Sequence, residues 1–413
     1  MPSPSWEHPR AEAGFLNSTE HSLQESQFRI TGTTDSLRYT AVSIKIQSEN
    51  FMGKIRVIQY ASGTTGKIAI RAMANHPELE LVGMLVHSAE KVGLDAGELA
   101  GIGNLGVTAT DSLEEILAIE ADAVSFMGLW PDLDLVCPML ESGKHVVLTP
   151  GLLYPKYLGD EVVERLEAAC KKGNTCVFGG GISPGFVQCV APIAMSNLAL
   201  GINKITVEEF VDFHDVGESP ELIRDMLGIG RTLEDVKANK HPWFDEMMPD
   251  FFNQTVALTA DALKLELDEI RADIEHFVSP GGGRIDSVEI PPGTVGGVRS
   301  TFTGVVDGQD RLIVRLNWWC TYDLGDGWFS ADDISNSTQW RITVDGEPSM
   351  RLTFEQADHF NDPTGNPRKS TEHSFIITAM NVLHAIPYLC QEKSPGIKHY
   401  GNLPLMAGRY TIR

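Results

Sequence analysis

Long apolar segments, paired cysteines and basic residues are all scarce in this sequence. No apolar run approaches the roughly 20 residues that a helix needs to cross a bilayer, and the N-terminus lacks the apolar core of a secretory signal. The six cysteines are scattered without a Cys-x-x-Cys pair, which disfavours a zinc knuckle or a disulfide framework. We therefore expect a cytoplasmic protein with reduced thiols and without a structural metal.

Positive charge is in deficit. The chain has 33 Lys and Arg residues against 56 Asp and Glu residues, which gives a formal net charge of −23. Such a surface repels phosphate backbones and anionic lipids, so nucleic acid and membranes are disfavoured as partners. A small anionic cofactor is still compatible with this charge, because a pocket needs only a local positive potential.

The chain is too long, at 413 residues, for one hydrophobic core, and its patterning changes along its length. Residues 1–50 are polar and predict a flexible extension or arm. Residues 51–185 repeat a strand–turn–helix pattern, which predicts an α/β, Rossmann-type, doubly wound parallel sheet. Residues 186–373 predict a second α+β domain for substrate binding and dimerisation, built on an open mixed or antiparallel sheet. Residues 374–413 begin with an apolar helix that could pack back on the first domain.

Three local patterns refine the second domain. Alternating apolar residues predict a strand over Leu312–Thr321. The pairs Asp307-Gly308 and Asp345-Gly346 predict hairpin turns. Residues Asp261–Phe277 are predicted to form an amphipathic helix. An open sheet leaves one face free, so we expect a homodimer or a higher homo-oligomer to cover it.

The segment from Ile58 to Lys67 follows a predicted strand and opens a predicted helix, which is the setting of a dinucleotide fingerprint. Gly63 would let the backbone approach a pyrophosphate, and Gly66 would let the helix pack closely on the strand. Ala61 replaces the first glycine of the usual motif. The backbone amides at this helix start would point at the phosphates.

The end of the second strand determines which dinucleotide is preferred. NAD sites usually place a carboxylate there, whereas this chain has His87, Ser88 and Lys91, which could hold a 2′-phosphate. We therefore expect NADP, and the nearby Glu90 leaves NAD possible. The ends of later strands complete the predicted cofactor site. Its expected residues are Ser62, Gly63, Thr64, Thr65, Gly66, His87, Ser88, Lys91, Met127, Gly128, Thr149 and Pro150.

At this point the sequence resembles a known family. The run Asp95-Ala96-Gly97-Glu98-Leu99 and the stretch from Ile55 to Gly66 are similar to the N-terminal domain of dihydrodipicolinate reductases. The run from Ile182 to Phe186 and the segment from Asn381 to Pro387 resemble its relatives, the 2,4-diaminopentanoate dehydrogenases and native amine dehydrogenases. The resemblance implies a homodimer or tetramer that moves a hydride at a carbon–nitrogen or carbon–oxygen bond.

Three departures from related patterns narrow the chemistry. The His-His and Lys-x-Asp-Ala-Pro-Ser-Gly-Thr motifs of the reductase are missing, which disfavours activity in lysine synthesis. Gly151 stands where the resemblance to amine dehydrogenases implies a glutamate before Tyr154-Pro155, so amine activation would require another group. Leu148-Thr149-Pro150 replaces the Glu-Lys-Pro of glucose-fructose-type sugar dehydrogenases, whose catalytic lysine is therefore missing.

Hydride transfer to a carbonyl or imine needs a proton donor or a polar group beside the nicotinamide. Tyr154 follows a strand and could donate a proton, or it could simply pack against the next helix. His214 ends the first strand of the second domain and suits acid–base work, unless it is a surface or hinge histidine. Asn317 could orient a substrate or point outward from its strand. Neighbouring tryptophans indicate either an apolar substrate pocket or core and interface packing; they are Trp318, Trp319, Trp328 and Trp340.

Two functions remain open from the sequence. The first is an NAD(P)-dependent oxidoreductase that transfers a hydride to or from a C=O or C=N group of a small, fairly apolar molecule. The alternative is a non-catalytic NADP-binding sensor or scaffold. A complete second domain favours the enzyme, and the missing glutamate and lysine favour the sensor.

Overall fold

A computed structural model describes residues 53–149, 151–213, 222–239, 241–242, 247–285, 288–321, 323–329, 334, 338–357 and 367–411. These residues belong to one compact unit, Phe51–Arg413. The predicted N-terminal extension lies outside the described residues. So do two predicted site residues, Pro150 and His214.

The first half of the described chain alternates strands and helices. Its strands are near-continuous apolar runs, which suits parallel strands covered on both faces. The strands are β1 (Ile55–Tyr60), β2 (Leu79–Leu85), β3 (Ala109–Thr110), β4 (Ala123–Phe126), β5 (His145–Leu148) and β6 (Cys176–Gly179). The helices are α1 (Thr64–Asn75), α2 (Ala96–Ala100), α3 (Leu113–Ala118), α4 (Leu133–Glu141) and α5 (Asp160–Gly173). All pairings are parallel, in the order β6-β5-β4-β1-β2-β3, so the predicted Rossmann-type sheet is confirmed.

The second half builds a mixed six-stranded sheet. Its strands are β7 (Gly201–Asp212), β8 (Glu269–Ser279), β11 (Thr294–Val306), β12 (Gln309–Trp319), β13 (Thr338–Glu347) and β14 (Met350–Glu355), and a separate ribbon pairs β9 (Gly283–Ile285) with β10 (Val288–Ile290). Their order is β14-β13-β7-β12-β11-β8, and β7 and β12 run parallel while the other pairs are antiparallel. The helices of this half are α6 (Ala191–Ser196), α7 (Leu233–Ala238) and α8 (Met248–Leu263).

Helix α8 covers one face of this sheet. The Phe252 ring on α8 stacks on the Phe302 ring of β11, with 5.3 Å between centroids, and Val256 joins the same buried cluster. Leu312, Val314 and Leu316 of β12 belong to this cluster, as the alternation predicted. The sheet therefore has a near face, toward α8, and a far face.

One predicted helix is wrong, one predicted turn is found, and the other lies just beyond its predicted position. The expected helix over Asp261–Phe277 does not form: α8 ends at Leu263, and β8 pairs with β11 at the sheet edge. Ile270, Ile274 and Val278 recur every four residues, and an even spacing suits one face of a strand as well as a helix. Asp307-Gly308 joins β11 to β12 with positive φ angles of 52° and 68°. Asp345-Gly346 instead lies inside β13, at a register shift in its pairing with β7, and the chain reverses after it, at Pro348-Ser349.

The C-terminal segment returns to the first sheet. It forms α9 (Pro367–Leu383), α10 (Ile386–Gln391) and β15 (Gly396–Lys398), and β15 adds a seventh strand beside β6. Val382 and Leu383 are buried with Ile55, Val57 and Ile68 of β1 and α1. By length and composition the stretch His373–Gln391 could cross a membrane, which the sequence analysis did not anticipate. Here the stretch forms the end of α9 and all of α10, and its buried residues pack in the core of the first domain.

Candidate active site

The loop between β1 and α1 carries the predicted fingerprint. Ala61, in place of the first glycine, has a φ of +68°, in the left-handed region that favours glycine. A Cβ at Gly66 would lie 2.2 Å from the Ala61 carbonyl oxygen, so this position needs glycine. The buried Gln59 amide donates to the carbonyl oxygens of Tyr60 and Ala61, at 2.7 and 3.1 Å, and braces the turn. Sequence reasoning missed Gln59.

The start of α1 fits a dinucleotide phosphate. The first N–H groups of a helix have no partner within it, and those of Thr64, Thr65 and Gly66 occupy that position here. The first turn contains no acidic residue. A Cβ at Gly63 would meet nothing within 4 Å, so the space before the helix is open. The buried Ser62 Oγ has no hydrogen-bond partner among the described residues, which suits a ligand acceptor.

An aromatic cluster adjoins this turn. The Tyr60 and Phe126 rings, at the ends of β1 and β4, have centroids 4.2 Å apart. His87, just beyond β2, places its Nε2 2.9 Å from the Tyr60 Oη. Burial raises the pKa of Tyr60, and the charge of Asp132 adds to that shift. His87 is therefore held by a hydrogen bond with a neutral tyrosine, although His87 itself is exposed to solvent.

The other residues predicted to select the cofactor follow His87 directly. Ser88 precedes a single 3-10 turn, Ala89–Lys91. Ser88 and Lys91 are half-buried, whereas Glu90 is exposed. Ser88, Lys91 and His87 thus lie on one short segment at the end of β2, beside the start of α1.

The remaining predicted cofactor residues lie along the same edge. Strand register places Phe126 beside both Tyr60 and Leu148, so Met127, Gly128 and Thr149 emerge next to one another. The Met127 N–H donates to the Tyr60 carbonyl at 3.1 Å. The described cofactor residues therefore gather at the carboxyl ends of β1, β2, β4 and β5, where α/β sheets bind ligands.

Asp95, in the motif shared with the reductases, has a structural role. Its Oδ1 accepts from the N–H groups of Gly97, Glu98 and Leu105, and its Oδ2 accepts from that of Val107, all within 3.3 Å. Burial alone would raise the pKa of this carboxyl, but the four N–H donors hold it below its usual value. Asp95 caps α2 and fixes the loop that follows it.

Tyr154 lies in the contact between the first domain and α8. Its backbone N–H donates to Gln254 Oε1 at 2.8 Å, and its ring packs edge-on to His399 at 5.1 Å. Burial raises the pKa of Tyr154 to about 12, and a hydrogen bond to Asp261 contributes to that shift. This geometry holds the phenol neutral and engaged inside the protein.

Asn317 lies on the far face of the second sheet. Its Oδ1 accepts from Arg299 Nε at 2.9 Å, and its Nδ2 donates to the Glu209 carbonyl at 3.1 Å. Side chains alternate along β12, and its neighbour Leu316 packs under α8. The structure thus separates Asn317 from the edge that carries the cofactor residues.

The four tryptophans divide between the two faces. Trp319 and Trp328 pack on the far face with Phe210 and Phe329. Trp318 and Trp340 lie on the near face, where both indoles donate to one carboxylate, that of Glu209. Sequence reasoning missed Glu209 entirely.

Glycines after β6 form a loop held by the C-terminal segment. The Gly181 N–H donates to Asn381 Oδ1 and to the Tyr400 Oη, each at 3.1 Å. A Cβ at Gly180 would lie 2.7 Å from the same Tyr400 oxygen. Ser183, two residues on, accepts a hydrogen bond from Gln188 Nε2 at 2.7 Å. The loop is therefore fixed on both sides. The run from Ile182 to Phe186 and the Asn381 segment were both singled out from the sequence, whereas Tyr400 was not.

A cavity of about 400 Å³ lies apart from the predicted cofactor residues. It is lined by residues including Arg231, Val236 and His276, in the second domain. Burial lowers the pKa of His276 to about 4. Across the part of the chain that is described, no group of three His, Cys, Asp or Glu side chains is placed to hold a metal ion.

Known proteins match both halves of the chain. Residues 55–149 match the family of the dihydrodipicolinate reductase N-terminus, and residues 186–318 match the 2,4-diaminopentanoate dehydrogenase C-terminal domain. An amine dehydrogenase of Streptomyces virginiae is 29% identical over 366 residues, which cover 85% of this chain and 96% of that protein. A 4-hydroxy-tetrahydrodipicolinate reductase of Hahella chejuensis is 28% identical over 158 residues, 38% of this chain and 53% of the reductase.

Solved structures share the fold. An amine dehydrogenase from Mycobacterium smegmatis superposes with a TM-score of 0.68 at 19% identity, over 87% of this chain and 98% of that one. A probable dehydrogenase from Thermotoga maritima gives 0.50 at 14% identity, over 86% and 91%. The chain is therefore similar to dihydrodipicolinate reductases over residues 55–149 and to the C-terminal domain of 2,4-diaminopentanoate dehydrogenases over residues 186–318, and it shares the fold of the amine dehydrogenase structure.

Proposed function

We propose that this protein is a nicotinamide-dependent oxidoreductase that transfers a hydride to or from a C=N or C=O group of a small, fairly apolar molecule. The observation that carries the proposal is the phosphate-binding start of α1, with the orphan Ser62 hydroxyl, on the edge that also holds Met127 and Thr149. The family domains and the amine dehydrogenase relative support the same reaction class.

The residues along this edge bind and orient, and a bound nicotinamide supplies or accepts the hydride. The N–H groups of Thr64, Thr65 and Gly66 would hold the pyrophosphate. The edge beyond β4 and β5, at Met127, Gly128 and Thr149, would hold the nicotinamide. The second domain would close the substrate side and exclude water.

Apolar side chains occupy the space beside Gly151, the position at which the resemblance implies a glutamate. The φ of Gly151 is +59°, and a Cβ there would lie 2.4 Å from the Phe251 ring and 3.1 Å from Pro131. A glutamate could enter only if Phe251 moved. The Phe251 ring instead packs with Trp130 at 5.9 Å, which makes this side of the site apolar.

The first experiment measures binding of NADPH and NADH to the purified protein by fluorescence and thermal shift, followed by assays with ketones plus ammonia and with amines. A ligand that binds only the folded state raises the melting temperature by mass action. Saturable binding of a dinucleotide with turnover of a ketone or an amine would support the proposal. Failure of both nucleotides to bind would overturn it.

We further propose NADP as the preferred cofactor, because the segment after β2 offers Ser88 and Lys91 and its first carboxylate, Glu90, is exposed. In a Ser88→Ala/Lys91→Ala double variant we expect weaker NADPH binding and unchanged NADH binding. Lys393→Ala, at an exposed lysine near the C-terminus, is the matched control. Equal losses for both nucleotides would contradict the assignment.

We also propose that the protein is a cytoplasmic homodimer or higher homo-oligomer with a small-molecule substrate and without nucleic-acid or membrane partners. The net charge of −23 supports the last point. The far face of the second sheet supports the oligomer, because Thr206, Ile313 and Thr343 on it are only half-buried. Sedimentation should give more than one subunit for the wild type and for Leu405→Asp, but a monomer for Ile313→Asp. A monomeric wild type would overturn this proposal.

A further inference from the structure

Glu209 is a buried carboxylate at the centre of the near face of the second sheet. It lies on β7, is 4% exposed, and stands directly opposite Trp340 on β13. Its Oε1 accepts from Trp318 Nε1 at 2.8 Å, and its Oε2 accepts from Trp340 Nε1 at 2.7 Å. The Ser183 hydroxyl also hydrogen-bonds to this carboxyl.

All three hydrogen-bond donors to Glu209 are neutral. Among the described residues no Lys, Arg or His forms an ion pair with it. Burial raises the pKa of the Glu209 carboxyl, and the bonds from Ser183, Trp318 and Trp340 oppose that shift without cancelling it. Buried carboxylates are normally paired with a cation, because isolation from water is costly for the charged form. Glu209 therefore has no cationic partner among the described residues, and a cationic ligand would favour its charged form.

The carboxyl also has an unused acceptor position when it is ionised. An ionised carboxylate offers about four acceptor positions. Three are used here, by two indoles and one hydroxyl. A primary ammonium or iminium group carries N–H donors of the right charge for the remaining position. The two indoles fix the carboxylate in place, so little ordering would accompany binding.

Glu209 is connected to the nicotinamide end of the predicted cofactor site. Its partner Ser183 lies in the loop that follows β6. Strand register aligns Phe126, Leu148 and Gly179, so this loop emerges beside Thr149, which in turn adjoins Met127. Glu208, the preceding residue, instead faces the opposite side, where Arg315 lies 3.2 Å away. Of these two adjacent glutamates, only Glu209 faces the loop that contains Ser183.

We propose that Glu209 binds the cationic amino group of an amine substrate and exchanges a proton with it, in place of the glutamate that Gly151 excludes. This inference rests on the proposed oxidoreductase function and assigns its substrate class as small primary amines and their carbonyl counterparts. In the oxidative direction the ammonium N–H proton passes to the Glu209 carboxylate. The carbon of the neutral amine would then give a hydride to a bound oxidised nicotinamide, and an iminium ion would remain. Hydrolysis of that ion by water would give the carbonyl compound and ammonium.

Trp318 and Trp340 define the surroundings of this group. Both indoles contact the carboxylate with their N–H edges and present their rings to the near face, where Ile182 and Val187 pack with Trp340. Aromatic and aliphatic walls around one charge favour an apolar substituent on the amine. A second charge on the substrate, such as a carboxylate, would find no described basic partner at Glu209. We therefore expect discrimination against α-amino acids.

The test uses the intact protein and its intrinsic tryptophan fluorescence, to which Trp318 and Trp340 contribute among seven tryptophans. sec-Butylammonium is titrated into wild type, Glu209→Gln and the matched control Glu208→Gln, with and without saturating NADPH. The glutamine side chain keeps the size of the glutamate but not its charge. We expect a saturable fluorescence change in the wild type and in Glu208→Gln, and a dissociation constant at least tenfold weaker in Glu209→Gln. Nucleotide affinity should stay within about twofold in all three.

Each outcome decides the inference. Equal amine affinity in wild type and Glu209→Gln overturns it, and so does the absence of any amine response in a wild type that binds NADPH. If Glu209→Gln does not fold, Trp318→Phe and Trp340→Phe each retain the carboxylate, and each must still bind the amine with a fluorescence change. A wild type that binds neither nucleotide contradicts the proposed function instead. An amine that binds such a protein through Glu209 would still support the carboxylate assignment.

Discussion

At the scale of single residues, the turn between β1 and α1 departs from the usual glycine pattern at Ala61. The backbone of Ala61 has a left-handed conformation, which glycine adopts with less strain than alanine. For an L-residue this conformation costs about 1–2 kcal/mol, and glycine loses about 0.5–1 kcal/mol more entropy on folding. We expect Ala61→Gly to raise the free energy of unfolding by about 0.5–1 kcal/mol, measured by urea unfolding. An unchanged or lower stability would contradict the strain at Ala61.

Gly63 and Gly66 provide a matched pair in the same turn. Alanine at Gly66 would force a Cβ to 2.2 Å from the Ala61 carbonyl, whereas at Gly63 it would meet nothing within 4 Å. We expect Gly66→Ala to destabilise the fold by about 1–3 kcal/mol, the usual cost of overpacking. Gly63→Ala should fold with near wild-type stability and bind the dinucleotide at least tenfold more weakly. Nucleotide titration and urea unfolding of both variants separate the two effects. Normal nucleotide binding by Gly63→Ala would argue against a phosphate at this turn.

The residues that sequence reasoning found and missed differ in how far apart their partners are. The glycine turn is local, so its pattern could be recognised within ten residues. Glu209 acquires its role from Trp318 and Trp340, which are 109 and 131 positions away in the chain. Its sequence context, two adjacent glutamates on a strand, does not indicate which one faces inward.

At the scale of elements, Asp95 is the side chain that organises the loop from Gly97 to Val107. Its pKa is held down in the folded state, so it stabilises the fold above its unfolded pKa of about 3.9, and this contribution is lost as the pH falls through the lowered folded value. Asp95→Asn leaves one oxygen fewer for four N–H groups. We expect a loss of about 1–2 kcal/mol at pH 7.

The pH dependence provides the control for this prediction. The difference between wild type and Asp95→Asn should shrink as the pH falls below about 4, because the unfolded wild-type chain takes up a proton on Asp95 at a higher pH than the folded protein does. Urea unfolding at several pH values measures it. A difference that stays constant down to pH 3 would show that the charge of Asp95 contributes nothing.

An element was predictable where the spacing of its apolar residues fits only a strand or only a helix. It was not predictable where the spacing fits both. In β12 the alternation of Leu312, Val314 and Leu316 fits only a strand. In β8 the four-residue spacing of Ile270 and Ile274 fits both a helix and a strand. Pairing with β11 across eleven registered positions decides the outcome, and that pairing is a property of the whole sheet.

At the scale of the whole molecule, the two ends of the described chain share one core. α9 and α10 lie against α1 and β1, so residues more than 300 positions apart are buried together. The loop beyond β6 is also held by Asn381 and Tyr400. The dinucleotide-binding domain is thus formed by two segments of the chain, one before and one after the second domain. Its stability should therefore depend on C-terminal residues.

Leu383 tests this dependence. It is 1% exposed in the cluster with Ile55 and Val57, whereas Leu405, in the same C-terminal segment, is 87% exposed. Truncating a buried leucine to alanine typically costs about 2–5 kcal/mol, because the cavity does not fully collapse. We expect Leu383→Ala to lower the melting temperature of one cooperative transition and to weaken nucleotide binding. Leu405→Ala should leave both unchanged, because no buried contact is lost. If Leu383→Ala instead split unfolding into two transitions with nucleotide binding intact, the C-terminal helices would be an independent addition and not part of the cofactor domain.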